Sequence, residues 1–447
     1  MSNLAKSKNY INSFVRRYFN NGSVDIFFLI VVLALLAIGL IMLYSASYPY
    51  AATDASSRYD PEYYIKRQAI FAIVGVAVML IFSHIKVELW KNCIWIVQGI
   101  TVLMLLVVFV MPQVKSGFYR WIKIGSVTFQ PSEIAKFAIV LLGAYLYSKF
   151  AKKMSSTKPS TLSIPVKINN KVGFGLVKES WVPTWIYVAI FGTFSVLVFL
   201  ENHLSGFILM FSLGVIMMFL GGVRKGWFIA GVSAVVAVVL IVCVPIYQDI
   251  RAEDEAKAAA EAAGIEYVAP EKEEDGGLLS RVLRGYMEER IVAWLDKDFE
   301  PTGARWQTNQ GLYAIGSGGL FGKGLGGSTQ KYMYVSEPQN DMIFSIVCEE
   351  LGFVGASIII MLYVLLVYRG VAIGLKARTR FGAMLAMGLV FQIGLQVILN
   401  IAVATDSMPN TGISLPFFSY GGTSLLVLLG EMGIVMAVSR ESRVKKK

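Results

Sequence analysis

Histidine and cysteine are almost missing from this chain, with two His and three Cys among 447 residues. Cys93, Cys243 and Cys348 fall in or beside apolar runs with no pairing pattern. Neither a disulfide framework nor Cys/His metal spacing is implied. With His84 and His203 the only imidazoles, Ser-His-Asp catalysis has little support. Charge is scarce too: Asp, Glu, Lys and Arg make up 16% of residues, against ~25% in soluble domains.

What the chain has instead is apolar sequence in long blocks. Hydrophobic residues are 55% of the total and mean hydropathy is +0.60. The blocks reach the ~20 residues that cross a bilayer at ~1.5 Å rise each. The pattern predicts an all-α, polytopic membrane protein of ten transmembrane helices, roughly 26–46, 67–83, 93–111, 133–149, 184–200, 205–221, 227–247, 342–368, 383–405 and 421–438. A large extracellular loop, 248–341, separates helices seven and eight. The first run is too long for a secretory apolar core and reads as a retained span.

The net charge of +11 could suggest nucleic acid, but its distribution decides against that. Lys and Arg gather in the tail 1–25, in alternate short segments including 150–182, and in the tail 439–447, and they are sparse in the short loops between. This is the positive-inside pattern. It places both termini in the cytoplasm, around a membrane domain spanning 26–438. The segment 150–182, basic and rich in Ser, Thr and Pro, is predicted to be a flexible cytoplasmic linker. Within the large loop, 251–275 is Ala/Glu-rich and reads as a solvated insertion. Residues 278–295 carry apolar positions at helical spacing and are expected to lie along the membrane surface.

A Gly-rich polar stretch, 311–341, ends in Asp341 just where the eighth run begins. An acidic residue there can simply complement a helix dipole, at ~0.3–1 kcal/mol. A carboxylate at a membrane mouth is also a functional-site hypothesis by default. Asp341, Ser345 and Glu349 recur every fourth residue and fall on one helical stripe, with Glu350 opposite. Asp341 and Glu349 could therefore line one cavity, about 12 Å apart in depth. A structural role, deep and hydrogen-bonded, suits Glu349 and Glu350 better. The Gly run lacks the spacing of a nucleotide cradle and no strand precedes it. A re-entrant loop packed on the bundle fits it, because such backbone at membrane depth needs protein or water around it.

A second cluster leads into the fourth run, where Arg120 and Lys123 flank Trp121 and Gln130, Ser132, Glu133 and Lys136 follow. Pro131-Ser132-Glu133 marks a helix start. Glu133 and Lys136 share a helix face, either as an ion pair holding the bundle or as contacts to an anionic, sugar-bearing lipid. Arg67 and Lys331 lie at the same outer level and would add positive charge. Asp406, among turn residues in the last outer loop, reads as a loop cap.

The motifs YSAS, RWI with FQPSEIAK, the Gly-rich approach to NDMIF and EELG, and GISLPFFSYGGTS together resemble the SEDS family of bacterial wall synthesis, the FtsW, RodA and SpoVE proteins. The ENHLSG and GISLPFFSYGGTS forms look more like its division and sporulation branch. The resemblance implies a peptidoglycan glycosyltransferase of the bacterial cytoplasmic membrane. Such an enzyme polymerises lipid II at the outer face, for septal, elongation or sporulation walls, with a class B penicillin-binding transpeptidase and other division or elongation membrane proteins as partners. It carries the catalytic aspartate onto Asp341 and the Glu and Lys of the fourth span onto Glu133 and Lys136. Arg67, Arg120, Trp121, Lys123, Gln130, Glu133, Lys136 and Lys331 form the expected substrate-binding set. A divalent cation, Mg or Mn, at the lipid diphosphate suits the chemistry, but no dedicated ligand cluster is visible. Two departures stand out. His203 occupies the place where many members have an aspartate, and Gln339-Asn340 precede Asp341 where many have His-Thr. The alternatives are a lipid II flippase or other transporter, and a non-catalytic scaffold for a transpeptidase.

Overall fold

The computed structural model describes residues 22–111, 120–125, 127–150, 161–168, 171–178, 182–201, 203–223, 286–296 and 305–443, with scattered positions between 231 and 256. The expected seventh span (227–247), most of the 251–275 insertion, residues 278–285 and the ends of both tails lie outside them. The apolar blocks fold as helices: α1 (Ile26–Thr53), α2 (Tyr63–His84), α3 (Val87–Asn92), α4 (Ile94–Val108), α5 (Pro131–Lys149), α6 (Val182–Leu200), α7 (Leu204–Leu220), α10 (Ile343–Leu375), α11 (Arg380–Ala404) and α12 (Gly422–Arg443). Two shorter helices, α8 (Tyr286–Leu295) and α9 (Trp306–Ser317), belong to the large loop. Among the described residues six helices, α1, α2, α6, α10, α11 and α12, are long and apolar enough to cross a membrane. The chain is a mostly helical, multi-pass membrane protein.

The all-α expectation needs one correction. Strands β1 (Ile122–Ile124) and β2 (Val127–Phe129) form an antiparallel hairpin just before α5. Within the segment expected to be a linker, β3 (Thr161–Ile168) pairs antiparallel with β4 (Lys171–Lys178). The third expected span is the single helix α4, and the short α3 precedes it, the two meeting at Cys93.

Local chemistry sets the helix ends. Asp25 caps α1 by accepting from the Phe28 N–H at 3.1 Å, and its carboxylate pairs with Arg369 of α10 at 2.7 Å. The α5 start is the expected one, with Pro131 in the first turn and Glu133 where the dipole favours it. From Ala135 to Ala144 every α5 residue is buried, as befits a helix apolar on all sides. It runs through the middle of the bundle against α4, α6, α7 and α11, while α12 packs along α2 and α10 packs on α1 and α11.

The Gly-rich stretch begins inside α9 and becomes irregular after Ser317. It then folds onto α10 at a break in that helix. Gly352 has φ +65° and ψ −172°, a region open essentially to Gly alone. A Cβ there would meet the Gly322 nitrogen at 2.2 Å. The loop is tied across the break by N–H donors of Lys323 and Gly324 to the carbonyls of Glu349 and Glu350, at 2.9 and 3.0 Å. The stretch thus packs on the bundle, as the sequence suggests.

Candidate active site

A cavity of about 640 Å³ opens where α2, the β1–β2 hairpin, α5 and the start of α7 face the loops before α10 and α12. Arg67 and three aromatics, Tyr63, Tyr64 and Phe71, come from α2. Arg120, Trp121 and Gln130 come from the hairpin and its flanks, and Glu133 and Lys136 from α5. Opposite them stand Asn340 and Asp341, Gln307 of α9 and Arg290 of α8. Tyr420, Gly421 and Gly422 complete the wall. Gln68 of α2 holds this segment, its amide donating to the Ser419 carbonyl at 3.3 Å while its oxygen accepts from Gly421 N–H at 3.2 Å.

Asp341 sits in the turn before α10, partly exposed to the cavity. Gln307 Nε2 donates to Oδ1 at 3.4 Å. Gly412, at φ +73°, faces Oδ2, and a Cβ there would lie 3.4 Å from it. The main chain is fixed independently: Asn400 Nδ2 donates to the carbonyls of Asp341 and Ile413, at 2.8 and 2.6 Å. Ser419 Oγ donates to the Asn340 carbonyl at 2.6 Å, and Tyr420 N–H to that of Gln339 at 2.8 Å. Burial pushes the Asp341 carboxyl above the usual range, with the Arg290 guanidinium opposing this and the Glu337 carboxylate adding to it. Such a group is a stronger proton acceptor than an ordinary aspartate.

Across the cavity Lys136 Nζ pairs with Glu133 Oε2 at 2.8 Å and donates to Gln396 Oε1 at 3.2 Å. The sequence left open an ion pair or a site, and the pair forms on the cavity floor. Beside it the α6–α7 turn brings two groups with displaced protonation. Glu201 is fully buried, and among the described residues neither carboxylate oxygen has a hydrogen-bond partner. Burial, opposed by the Arg120 charge, pushes it up to about 8. His203 lines the cavity 3.4 Å from Gln130 Nε2. Burial, then the charges of Arg120 and Lys136, hold it well below the usual imidazole range, so it is neutral.

Seven of the nine expected site residues thus meet in one cavity: Asp341, Arg67, Arg120, Trp121, Gln130, Glu133 and Lys136. Lys331 and Lys123 do not. Lys331 is buried, its ammonium pairing with Glu350 at 2.8 Å and donating to Ser45 Oγ at 3.1 Å and the Gly326 carbonyl at 2.8 Å. It clamps the Gly-rich loop to α10 and α1. Lys123 is exposed in mid-strand opposite Thr128 and lines no part of the cavity. Glu349 does not share the cavity with Asp341 either. It accepts from Lys323 Nζ at 2.6 Å, from the Thr329 and Gln330 N–H groups and from the Ser328 hydroxyl. Asp406 pairs with Arg305 at 2.7 Å, a loop tie as expected.

Sequence reasoning missed Arg290, Gln307, Gln396 and Asn400. The last two carried a signal, since Gln392, Gln396 and Asn400 recur every fourth residue in an apolar run, a polar stripe on one helix face.

Among the described residues no group of three or more His, Cys, Asp or Glu side chains gathers to hold a metal. The carboxylates lining the cavity are Glu133, Glu337 and Asp341; Lys136 engages Glu133, and the Asn340 amide donates to Glu337 at 2.7 Å. This donor set does not fit a dedicated cation site.

Known proteins resemble this chain in sequence and in fold. The sequence model of the FtsW, RodA and SpoVE family, described as "Cell cycle protein", matches residues 25–268 and 277–444. Stage V sporulation protein E of Bacillus subtilis is 32% identical over 94% of this chain and 98% of its own. The probable peptidoglycan glycosyltransferase FtsW of Trichlorobacter lovleyi is 31% identical over 95% of each. Among solved structures, a chain described under "Structural coordination of polymerization and crosslinking by a peptidoglycan synthase complex" superposes with a TM-score of 0.65. It shares 21% identity, over 95% of this chain and 99% of its own. The rod shape determining protein RodA of Thermus thermophilus gives 0.59 at 21% identity and the same coverage. These likenesses show a common fold. With its apolar helices, its cavity and a family match running almost end to end, the chain belongs to the FtsW, RodA and SpoVE family.

Proposed function

We propose that this chain is a peptidoglycan glycosyltransferase that polymerises lipid II into glycan strands. The observation that carries this is the cavity itself, where an aspartate made more basic by burial faces the cations Arg67, Arg120 and Lys136. The relatives named FtsW are described as probable peptidoglycan glycosyltransferases, which supports the same chemistry here. Asp341 takes the proton of the acceptor sugar's 4-hydroxyl as its oxygen attacks the donor's anomeric carbon. The bond from that carbon to the undecaprenyl diphosphate breaks with inversion, and the departing charge meets the three cations. Trp121 and Tyr63 offer flat apolar walls to the sugars. One base suffices, so no second catalytic carboxylate is needed. No step is routed through a metal.

The site faces outward in a ten-span topology with both termini cytoplasmic, an arrangement supported by the positive-inside charge pattern. The same family membership supports a class B penicillin-binding transpeptidase as partner.

The test is to purify the chain with its transpeptidase, supply lipid II in detergent, and compare wild type with Asp341→Ala and Asp341→Asn. Glycan polymer from wild type and none from the folded variants is expected. Undiminished polymer from Asp341→Ala would refute the assignment of the base.

A further inference from the structure

Below the cavity floor lies the pocket of about 10 Å³, the room one water needs. Lys136 lines both. An ammonium has three N–H donors, and among the described residues Lys136 engages two acceptors, Glu133 and Gln396. Facing the same pocket from α12 is Glu431, only 2% exposed. Its two oxygens share a single donor, Gln392 Nε2, at 3.2 and 3.0 Å. Gln392 Oε1 is itself buried with no hydrogen-bond partner among the described residues. Three unmet polar needs therefore converge on a space of one water: a donor, a carboxylate and an amide oxygen. A buried water typically makes about three hydrogen bonds.

We infer that Glu431 is a positioning residue for Lys136, acting through one water bound in this pocket. The water accepts the third ammonium N–H and donates to the Glu431 carboxylate and to Gln392 Oε1. Glu133 holds Lys136 from the cavity side and Glu431 from within the bundle. The ammonium is thereby fixed where the proposed diphosphate arrives, and does not swing to Glu133 alone. The functional part of this inference rests on the glycosyltransferase reading; the water and the coupling do not.

The experiment is a double-mutant cycle between Glu431→Gln and Lys136→Met, with Glu431→Asp as rescue, read by polymerisation kinetics and by thermal unfolding. Glu431→Gln is expected to lower kcat roughly tenfold, the low end for an outer partner that orients a charged group, with KM within about twofold. In the Lys136→Met background the same substitution should cost nothing further, in rate or in unfolding temperature. Glu431→Asp, which keeps the carboxyl group and lets the water follow it, should recover most of the rate. A density map of the wild type should show a water between Lys136 and Glu431. Additive losses, no rescue by Asp, or a map with no water there would overturn the inference. If the wild type makes no polymer, the proposed function falls, and the unfolding cycle with the water density still decides this proposal.

Discussion

Lys331→Met separates a clamp from a substrate contact. Lys331 and Glu350 are 3% and 0% exposed, so the substitution strands a buried carboxylate with only the Ser45 hydroxyl at 2.7 Å and the Ser328 N–H at 3.4 Å. Removing one partner of a buried pair costs ~3–5 kcal/mol. Loss of the bond to the Gly326 carbonyl adds about 1 kcal/mol, for a total of roughly 4–6 kcal/mol. Lys331→Met with Glu350→Gln removes both charges and forfeits only hydrogen bonds, about 1–2 kcal/mol. The double variant should therefore be more stable than the single by about 3 kcal/mol. SDS titration in mixed micelles, followed by tryptophan fluorescence, measures this difference. The fraction that stays folded should keep the wild-type KM for lipid II, because Lys331 does not reach the cavity. A Lys331→Met protein as stable as wild type but with a raised KM would refute the clamp and restore Lys331 as a ligand.

Three other outcomes are expected. A general base works only when ionised, and Arg290 opposes the upward push on Asp341. Arg290→Gln should therefore move the acid limb of the pH–rate profile to higher pH, and an unmoved or acid-shifted limb counts against Asp341 as the base. Gly352→Ala forces a φ +65° conformation and drives a Cβ into the Gly322 nitrogen. It should cost at least ~1–3 kcal/mol from backbone strain alone, read as reduced yield and unfolding temperature, and a wild-type unfolding profile would contradict the packing described. Lys123→Ala should leave KM and kcat within about twofold, as expected of an exposed residue away from the site; a tenfold loss would show that it does meet substrate.

The sequence disclosed the helices because apolar blocks of bilayer length have few other uses, and it disclosed the start of α5 because Pro131, Ser132 and Glu133 each suit a first turn. Asp341 was legible for the same kind of reason, as a charge at the edge of an apolar run. Lys331 was not. The sequence predicts an outer, substrate-facing position for it, but positive-φ turns at Gly324 and Gly326 carry it back onto α10, and linear spacing does not encode that return. Glu349 and Glu350 were placed on opposite helix faces, yet both serve one loop because it wraps the break at Gly352. The β3–β4 hairpin did leave a trace: Leu162, Ile164, Val166 and Ile168 alternate with Thr161, Ser163, Pro165 and Lys167, a strand period overshadowed by composition. Arg290 and Gln307 come to the cavity from far along the chain through tertiary packing, which no local pattern announces.

The hydrogen bonds from Asn400 bear on how this family can be recombined. One side chain reads two carbonyls, on Asp341 and on Ile413, while Ser419 and Tyr420 hold the two residues before the aspartate. The stretch before α10 and the stretch before α12 are thus a single heritable unit together with α11, though more than fifty positions lie between them in the gene. A chimera that exchanges either stretch alone will misplace the base even when every residue of the cavity is retained, whereas one that exchanges 339–421 as a block carries its register with it.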